Sequence, residues 1–459
     1  MTLPLIVRGL GTESYGIWAQ VLALIALLGS AAGANLHIPL VRFVSEDRRV
    51  RSEVYPTLLV ATVGAGAAMV LLVVAAAEPI GELIVGEQDI AALLRISAVL
   101  LVLNNVRVLN SNFYRATGRI HLRSIVELVN GVVETAGIVL AILLGGGLWD
   151  VFAFMVGWQS ALVLVQTVHV VRLSGWGGAR WNRLKESLAY ALPLLPAILS
   201  LWILDRVDRF VIGNVLGAKA VGIYAAAYAL AGVVMLFQSP FQMTLLPKVA
   251  ELWGSNRALA MRYVSTSQKV FLSLAIPFAA ALPLVAEPLL ELLGNREIAL
   301  GAGVTTTVIA VGIVLWGMGI MQIQILHGAK RPGAVGTVTA ISAALNFVLN
   351  LVLVPMWGVL GAAVATLVAY LGTFLALGWL CRAEGQFDYD VAFLARSFGA
   401  ALVMDAFLAM IAPKTVPALA LAIVGGGFVY FVALWCTQLL RPVDERVTWK
   451  GLVQLVRGR

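Results

Sequence analysis

"PGAVGTVTAISAALNFVLNLVLVPMWGVLGAAVATLVAYLGTFLALGWLC", residues 332–381, contains no charged side chain. A helix of about 20 apolar residues covers a hydrocarbon core of roughly 30 Å. The stretch is therefore long enough for two passes, and "VPMWG" (354–358) is the turn expected between them. Similar uncharged runs cover 54–77, 151–168, 220–247, 298–326 and 415–440. Apolar residues make up 61% of the chain and charged residues 12%, with a mean hydropathy of +0.94. A soluble domain is nearer half apolar and a quarter charged. The chain reads as a polytopic all-α membrane bundle. A transmembrane β-barrel would show alternating segments of about ten residues, and the sequence has none.

Spans are expected near 17–40, 54–77, 91–114, 123–144, 149–171, 187–212, 220–246, 264–286, 298–327, 333–354, 358–381, 392–412 and 415–440, thirteen in all. One set of connections carries 24 of the 32 Lys and Arg residues and the opposite set carries 7, with Arg107 left at membrane depth. The positive-inside rule makes the first set cytoplasmic. The net charge of +8 is thus a topology signal and gives no reason to invoke nucleic acid. Cys381 and Cys436 are too few for a disulfide framework or a soft-ligand metal site, and the four histidines are scattered. The N-terminus carries no cleavable signal pattern.

A ten-residue element occurs twice. "LGTESYGIWA" (10–19) and "LGAKAVGIYA" (216–225) share Leu-Gly, Gly-Ile, an aromatic and Ala, 206 positions apart. The same shift places Arg42 on Lys248, each just past an apolar helix. "ATGR" (116–119) and "GAKR" (328–331) form a weaker second match as basic turns. The chain therefore divides into an N-terminal lobe over 1–172, a cytoplasmic linker over 173–186 and a C-terminal lobe over 187–381. Residues 382–459 supply two further helices and a basic tail. Even helix counts make this a parallel repeat about the membrane normal, and transporters place substrates at such interfaces. The second element follows a helix beginning near Ser187, whereas "TLPLIV" before Arg8 spans only roughly 9 Å as helix. Most of a first helix is therefore expected to be missing from a fourteen-helix plan.

"VRGLGTESYGIW" with "PLVRFVSED", and "DRFVIGNVLGAKAVGIYAAAYAL" with "LLPKVAEL", resemble the Wzx-like oligosaccharide flippases of polysaccharide biosynthesis. These belong to the multidrug/oligosaccharidyl-lipid/polysaccharide exporter superfamily. The resemblance implies two pseudo-symmetric six-helix lobes around a central cavity, plus two C-terminal helices. It implies a non-enzymatic transporter that flips undecaprenyl-pyrophosphate-linked glycans across a bacterial cytoplasmic membrane by alternating access, with no cofactor. Membrane lipids, an anionic lipid-linked glycan, and the glycan polymerase and chain-length machinery are the partners it implies. It also makes Arg8, Arg42 and Lys248 cavity candidates and marks Asp208 as a recurrent family position. Snorkelling to headgroups explains Arg42 and Lys248 equally well.

Ionisable groups at membrane depth are costly and face polar interiors, so each is a site hypothesis. Asn104, Arg107, Ser111 and Arg115 share one helix face. Glu127, Asn130 and Glu134 share a face of the next, with Arg107 and Glu134 at comparable depth. These charges either neutralise one another or present Arg107 and Arg115 to a pyrophosphate, whose oxygens match the planar guanidinium fork. In "LDRVDRF" (204–210), Asp205 and Arg209 have the spacing of a local ion pair, and Arg206 is free to point elsewhere. Its place near the outer surface favours a solvated rim. Ser342, Asn346 and Asn350 form a neutral stripe, as do Gln238 with Gln242 and, more loosely, Asn35 with His37. Such groups hydrogen-bond glycan hydroxyls or glue membrane helices together. Prolines 39, 240, 277 and 283 and "LPLLP" (192–196) are expected to kink their spans.

No Gly-Lys dipeptide occurs, which excludes a P-loop pump. "DYD" (388–390) fits a bare metal–nucleotide pattern, but no nucleotide-binding βαβ unit surrounds it. The serious rival is a cation-coupled multidrug exporter of the same superfamily. Mixed interior charge with several arginines favours an anionic substrate instead. A lipid II flippase is the third reading.

Overall fold

The computed structural model describes residues 3–85, 90–385, 390–413 and 415–439. The expected basic tail over 441–459, Lys414 and most of the Asp-Tyr-Asp stretch lie outside the described residues. The described residues form helices with short turns and no strand. Eleven of these helices are long and apolar enough to cross a membrane, and one bent pair makes a twelfth. The longest runs over Pro332–Glu384 and breaks at Gly358, whose φ of 59° lies outside the helical region. That break falls in the expected "VPMWG" turn and divides the helix into two passes. The thirteen expected spans are all accounted for.

Packing groups the chain into Met1–Ala225 and Ala226–Arg459. The first unit contains α1 (Leu3–Leu10), α2 (Thr12–Gly33), α3 (His37–Glu46), α4 (Arg51–Ala75), α5 (Ala77–Val85) and α6 (Ala91–Ala116). It continues with α7 (Ile120–Leu143), α8 (Leu148–Ser174), α9 (Trp181–Ala191), α10 (Leu195–Leu216) and the start of α11 (Ala218–Ala231). Helix α6 is its hub and packs on α2, α3, α4, α5, α7 and α8. Leu40, Tyr55, Leu58, Leu109, Phe113 and Val170 close the core around its inner half. Tyr55 meets Phe113 edge-on with centroids 5.3 Å apart, a favoured aromatic geometry. The Tyr55 hydroxyl donates to Asn110 Oδ1 (2.7 Å), and Asn110 Nδ2 donates to Thr167 Oγ1 (3.0 Å). Three helices are joined there by satisfied buried polar groups.

Helix α7 shows how the solvent shapes the surface. Ile125, Leu128 and Val132 are exposed along one face, while Asn130, Gly137 and Ile138 are buried on the other. Apolar residues outside and polar ones inside suit a helix solvated by lipid, where the backbone satisfies itself.

The second unit holds the rest of α11, then α12 (Val234–Trp253), α13 (Arg257–Leu293), α14 (Arg296–Gly328), α15 (Pro332–Glu384), α16 (Val391–Ile411) and α17 (Val416–Leu439). Helix α14 packs on α12, α13 and α15. Asn256, Asn295 and Asp390 cap α13, α14 and α16 by accepting from a backbone N–H three residues on, which satisfies one orphan donor each. Pro240, Pro277 and Pro283 stay inside continuous helices. Pro39 falls in the first turn of α3, where a missing N–H leaves no bond unmade. The chain does break at Leu192–Leu194, a 3-10 turn in "LPLLP".

Within the first unit the repeated element meets its own copy. Gly11 and Gly217 hold matching left-handed turns, with φ of 92° and 83°. A Cβ on Gly16 would lie 1.8 Å from the Ala218 carbonyl oxygen, and one on Gly222 would lie 2.2 Å from that of Thr12. Residues 12 and 218, and 16 and 222, are the same positions under the 206-residue shift. The contact is therefore reciprocal, as a two-fold axis requires, and it explains why both copies keep glycine.

Candidate functional site

The α6–α7–α8 face gathers most of the membrane-depth charge. Arg107 Nη1 donates to Glu127 Oε2 at 2.7 Å, and Ser111 Oγ donates to Glu127 Oε1 at 3.1 Å. The Arg107 side chain is 17% exposed and Glu127 is 43% exposed. Arg107 Nε is shielded and finds no acceptor among the described residues. One turn and two turns further along α7, Asn130 and Glu134 form a second knot. Asn130 Nδ2 donates to Glu134 Oε2 (3.3 Å), and Gln159 Nε2 donates to both Asn130 Oδ1 (3.1 Å) and Glu134 Oε2 (3.2 Å). Trp158 Nε1 adds a bond to Asn130 Oδ1 at 3.1 Å. The arginine thus pairs with the nearer glutamate, while Glu134 is held by amides. Asn104 is half-buried and Arg115 is exposed at the end of α6.

The outer "LDRVDRF" segment divides in two. Asp205 and Arg206 pair at 3.1 Å with side chains about two-fifths exposed, as a solvated rim requires. Asp208 and Arg209 do not fit that rim, being 1% and 9% exposed. Tyr224 Oη donates to Asp208 Oδ2 at 2.5 Å, while the Arg209 backbone N–H and Nη1 donate to Oδ1 at 2.8 and 3.3 Å. Arg209 Nη1 also reaches the Asp205 backbone oxygen at 3.0 Å, and Gln20 Nε2 donates to the Arg209 carbonyl at 3.3 Å. The second turn of α11 covers Asp208 with Tyr224, so position along α10 alone misled. The pair ties α10 to α11 and α2.

Arg42 donates to Glu46 at 3.1 Å with its guanidinium 4.6 Å above the Tyr190 ring. The Glu46 hydrogen bond, with help from Tyr190, pushes the Arg42 pKa further up. Lys248, its equivalent under the 206-residue shift, donates to Glu251 at 3.0 Å. Each cation is therefore partnered by an acid one helical turn later. Arg8 is exposed on α1.

In the second unit Ser342, Asn346 and Asn350 are buried. Thr373 Oγ1 donates to Ser342 Oγ at 2.7 Å, and Asn346 Nδ2 lies 3.4 Å from Thr366 Oγ1. Asn350 Nδ2 donates to the Asn346 carbonyl at 2.8 Å. The stripe therefore joins the two arms of α15, the adhesive role such residues take in membranes. Gln242 Nε2 donates to Gln238 Oε1 at 2.8 Å.

Asn105, Gln159, Tyr190 and Tyr224 were not singled out from the sequence, yet each completes a polar cluster. Asn105 had one signal. Gly29 and Gly33 lie four apart on α2, and the Asn105 amide fills the space they leave, donating to Gly29 O at 2.9 Å.

These features define a multi-pass helical membrane protein whose interior carries paired charges and amides. The chain belongs to the polysaccharide biosynthesis protein family, whose pattern matches residues 5–296. It is 24% identical over 260 residues to the probable low-salt glycan biosynthesis flippase Agl15 of Haloferax volcanii, covering 54% of this chain and 53% of that one. It is 28% identical over 179 residues to the probable flippase AglR of the same organism, covering 38% of each. The matches thus span about half, or less, of these relatives. Its fold is similar to that of a solved structure described as the lipid II flippase MurJ, inward closed conformation, with a TM-score of 0.77 and 14% identity over 95% of this chain and 96% of that one.

Proposed function

We propose that this protein flips a lipid-linked oligosaccharide across a bacterial cytoplasmic membrane by alternating access, and that the lipid carrier is undecaprenyl pyrophosphate. The product serves surface polysaccharide synthesis, where the glycan polymerase and chain-length machinery are its partners. Arg107 carries the reading. It is a largely buried guanidinium at membrane depth with one shielded N–H uncommitted among the described residues, and planar donors of this kind grip phosphate oxygens in pairs. Glu127 holds the guanidinium and competes with the pyrophosphate for it, which favours release. Arg8, Arg42, Arg115 and Arg206 are the further cation candidates of the first unit, and Lys248 is that of the second. Glu134, among its amide donors, is the candidate for coupling to an ion. The two lobes of this reading divide in the linker over 173–186.

The test is complementation of a flippase-deleted, glycan-producing strain by the wild-type chain, Arg107→Ala and Arg107→Lys at equal expression. Surface glycan restored by wild type, lost in Arg107→Ala and partly kept in Arg107→Lys supports the reading. Full restoration by Arg107→Ala removes Arg107 from the substrate path.

A further inference from the structure

The joint between α2 and α3 is unusual for a helix that should cross a membrane. Ala34 and Asn35 take left-handed backbone angles in succession, with φ of 41° and 51°. This conformation is unfavourable for alanine, and such outliers cluster where a fold positions a ligand. The joint opens onto a cavity of about 210 Å³ between α2, α4 and α6. Its polar lining is Ser30, Asn35, His37, Thr62 and Asn105. Ser30 Oγ and Asn35 Nδ2 are shielded and find no partner among the described residues. Two polar groups at one cavity therefore await a hydrogen-bonding occupant.

The chemistry of the wall narrows that occupant. No carboxylate lines the cavity, so a bare cation would have no countercharge. The carbonyl end of α2 faces the joint, and that end of a helix repels anions. A lipid tail would leave the hydroxyl and the amide unsatisfied. The volume matches roughly seven waters at about 30 Å³ each, the scale of one sugar ring and far beyond one ion. Hydroxyls and amides together offer both donors and acceptors, as a polyol needs.

We propose that this cavity receives one neutral sugar ring of the carried glycan, hydrogen-bonded by Ser30, Asn35, Thr62 and Asn105. The proposal rests on the flippase reading and adds a glycan subsite within the first unit, distinct from the arginine that grips the pyrophosphate. It assigns sugar selectivity to the α2–α3 joint.

The experiment uses the full-length purified protein with two probes, undecaprenyl pyrophosphate bare and bearing a single hexose. The wild-type chain should bind the hexose-bearing lipid about tenfold more tightly. In Ser30→Ala/Asn35→Gly the ratio of the two affinities should fall to near one. Glycine tolerates the left-handed backbone at 35, so the change removes the amide and leaves the joint intact. A second readout does not need that variant to fold. Ser30→Cys in a Cys436→Ser background should be alkylated by a small maleimide and protected by the hexose-bearing lipid far better than by the bare lipid. A wild-type ratio near one, or equal protection by both lipids, overturns the subsite and leaves water as its occupant. Binding of neither lipid overturns the flippase reading and the subsite with it.

Discussion

Asp208 shows most directly how a single residue was legible in part. The resemblance marked it as a recurrent family position, while its place near the end of a helix pointed to solvent. The structure buries it beneath Tyr224 and beside Arg209. Which face of α10 is covered depends on the turn into α11, and a helical wheel of α10 carries no such information. Removing one member of a buried ion pair strands the other charge, at a cost of about 3–5 kcal/mol. Asp208→Ala should therefore lower stability by about that amount, and Tyr224→Phe by about 1.5–3 kcal/mol through one lost bond to a charged acceptor. Chemical unfolding of the purified protein in detergent measures both. A loss below 0.5 kcal/mol (roughly the scatter of neutral surface substitutions) in Asp208→Ala contradicts the buried pair. Arg206→Ala should by contrast be nearly neutral, because its pair with Asp205 is exposed and such pairs contribute about 0–1 kcal/mol.

Among the elements, the repeated decapeptide gave the clearest sequence signal and the least expected structure. Its two copies were read as the mark of a parallel repeat. That they also touch each other, glycine against backbone, could not be read from either copy alone. The touch is reciprocal, with Gly16 on Ala218 and Gly222 on Thr12. Overpacking such a contact costs typically about 1–3 kcal/mol. Gly16→Ala and Gly222→Ala should each destabilise on that scale. Because either change already parts the two helices, the double variant should cost clearly less than the sum, with a coupling of about 0.5–3 kcal/mol. Gly131→Ala, whose Cβ would meet open space on α7, is the control and should be neutral or slightly stabilising. Strict additivity of the two changes would show that they act at separate places. The α2–α3 joint was hidden for a different reason. An Asn-containing break inside an apolar run looks like any polar interruption of a span, and only backbone angles reveal it.

For the whole molecule, hydropathy and charge were enough to give thirteen passes, an all-α class and the place of the turn in α15. These depend on transfer free energy summed over many residues, so errors at single positions average out. The interior was less legible, because pairing depends on a few ångströms between helices. Arg107 was correctly placed opposite acidic groups on α7, yet its partner at 2.7 Å is Glu127, whereas Glu134 is held by Asn130 and Gln159. Counted from the Gly118 turn, Arg107 lies 11 residues before it while Glu127 and Glu134 lie 9 and 16 after it, so depth along the hairpin favours Glu127, against the comparable depth expected of Glu134. The net excess of basic residues on one set of loops also fixes an expected orientation, which glycosylation-site or thiol-labelling scans of the 115–123 and 328–331 turns would read as cytoplasmic. The proposed function requires that the chain carry an anionic glycolipid and not an organic cation. The most direct measurement is leaflet reorientation in proteoliposomes containing an undecaprenyl-pyrophosphate-linked oligosaccharide, alongside efflux of a cationic dye. Wild type should move the glycolipid and leave the dye in place, and Arg107→Ala should slow glycolipid movement at least about tenfold, the rate equivalent of 1.36 kcal/mol. Dye efflux with a stationary glycolipid would contradict the proposed function.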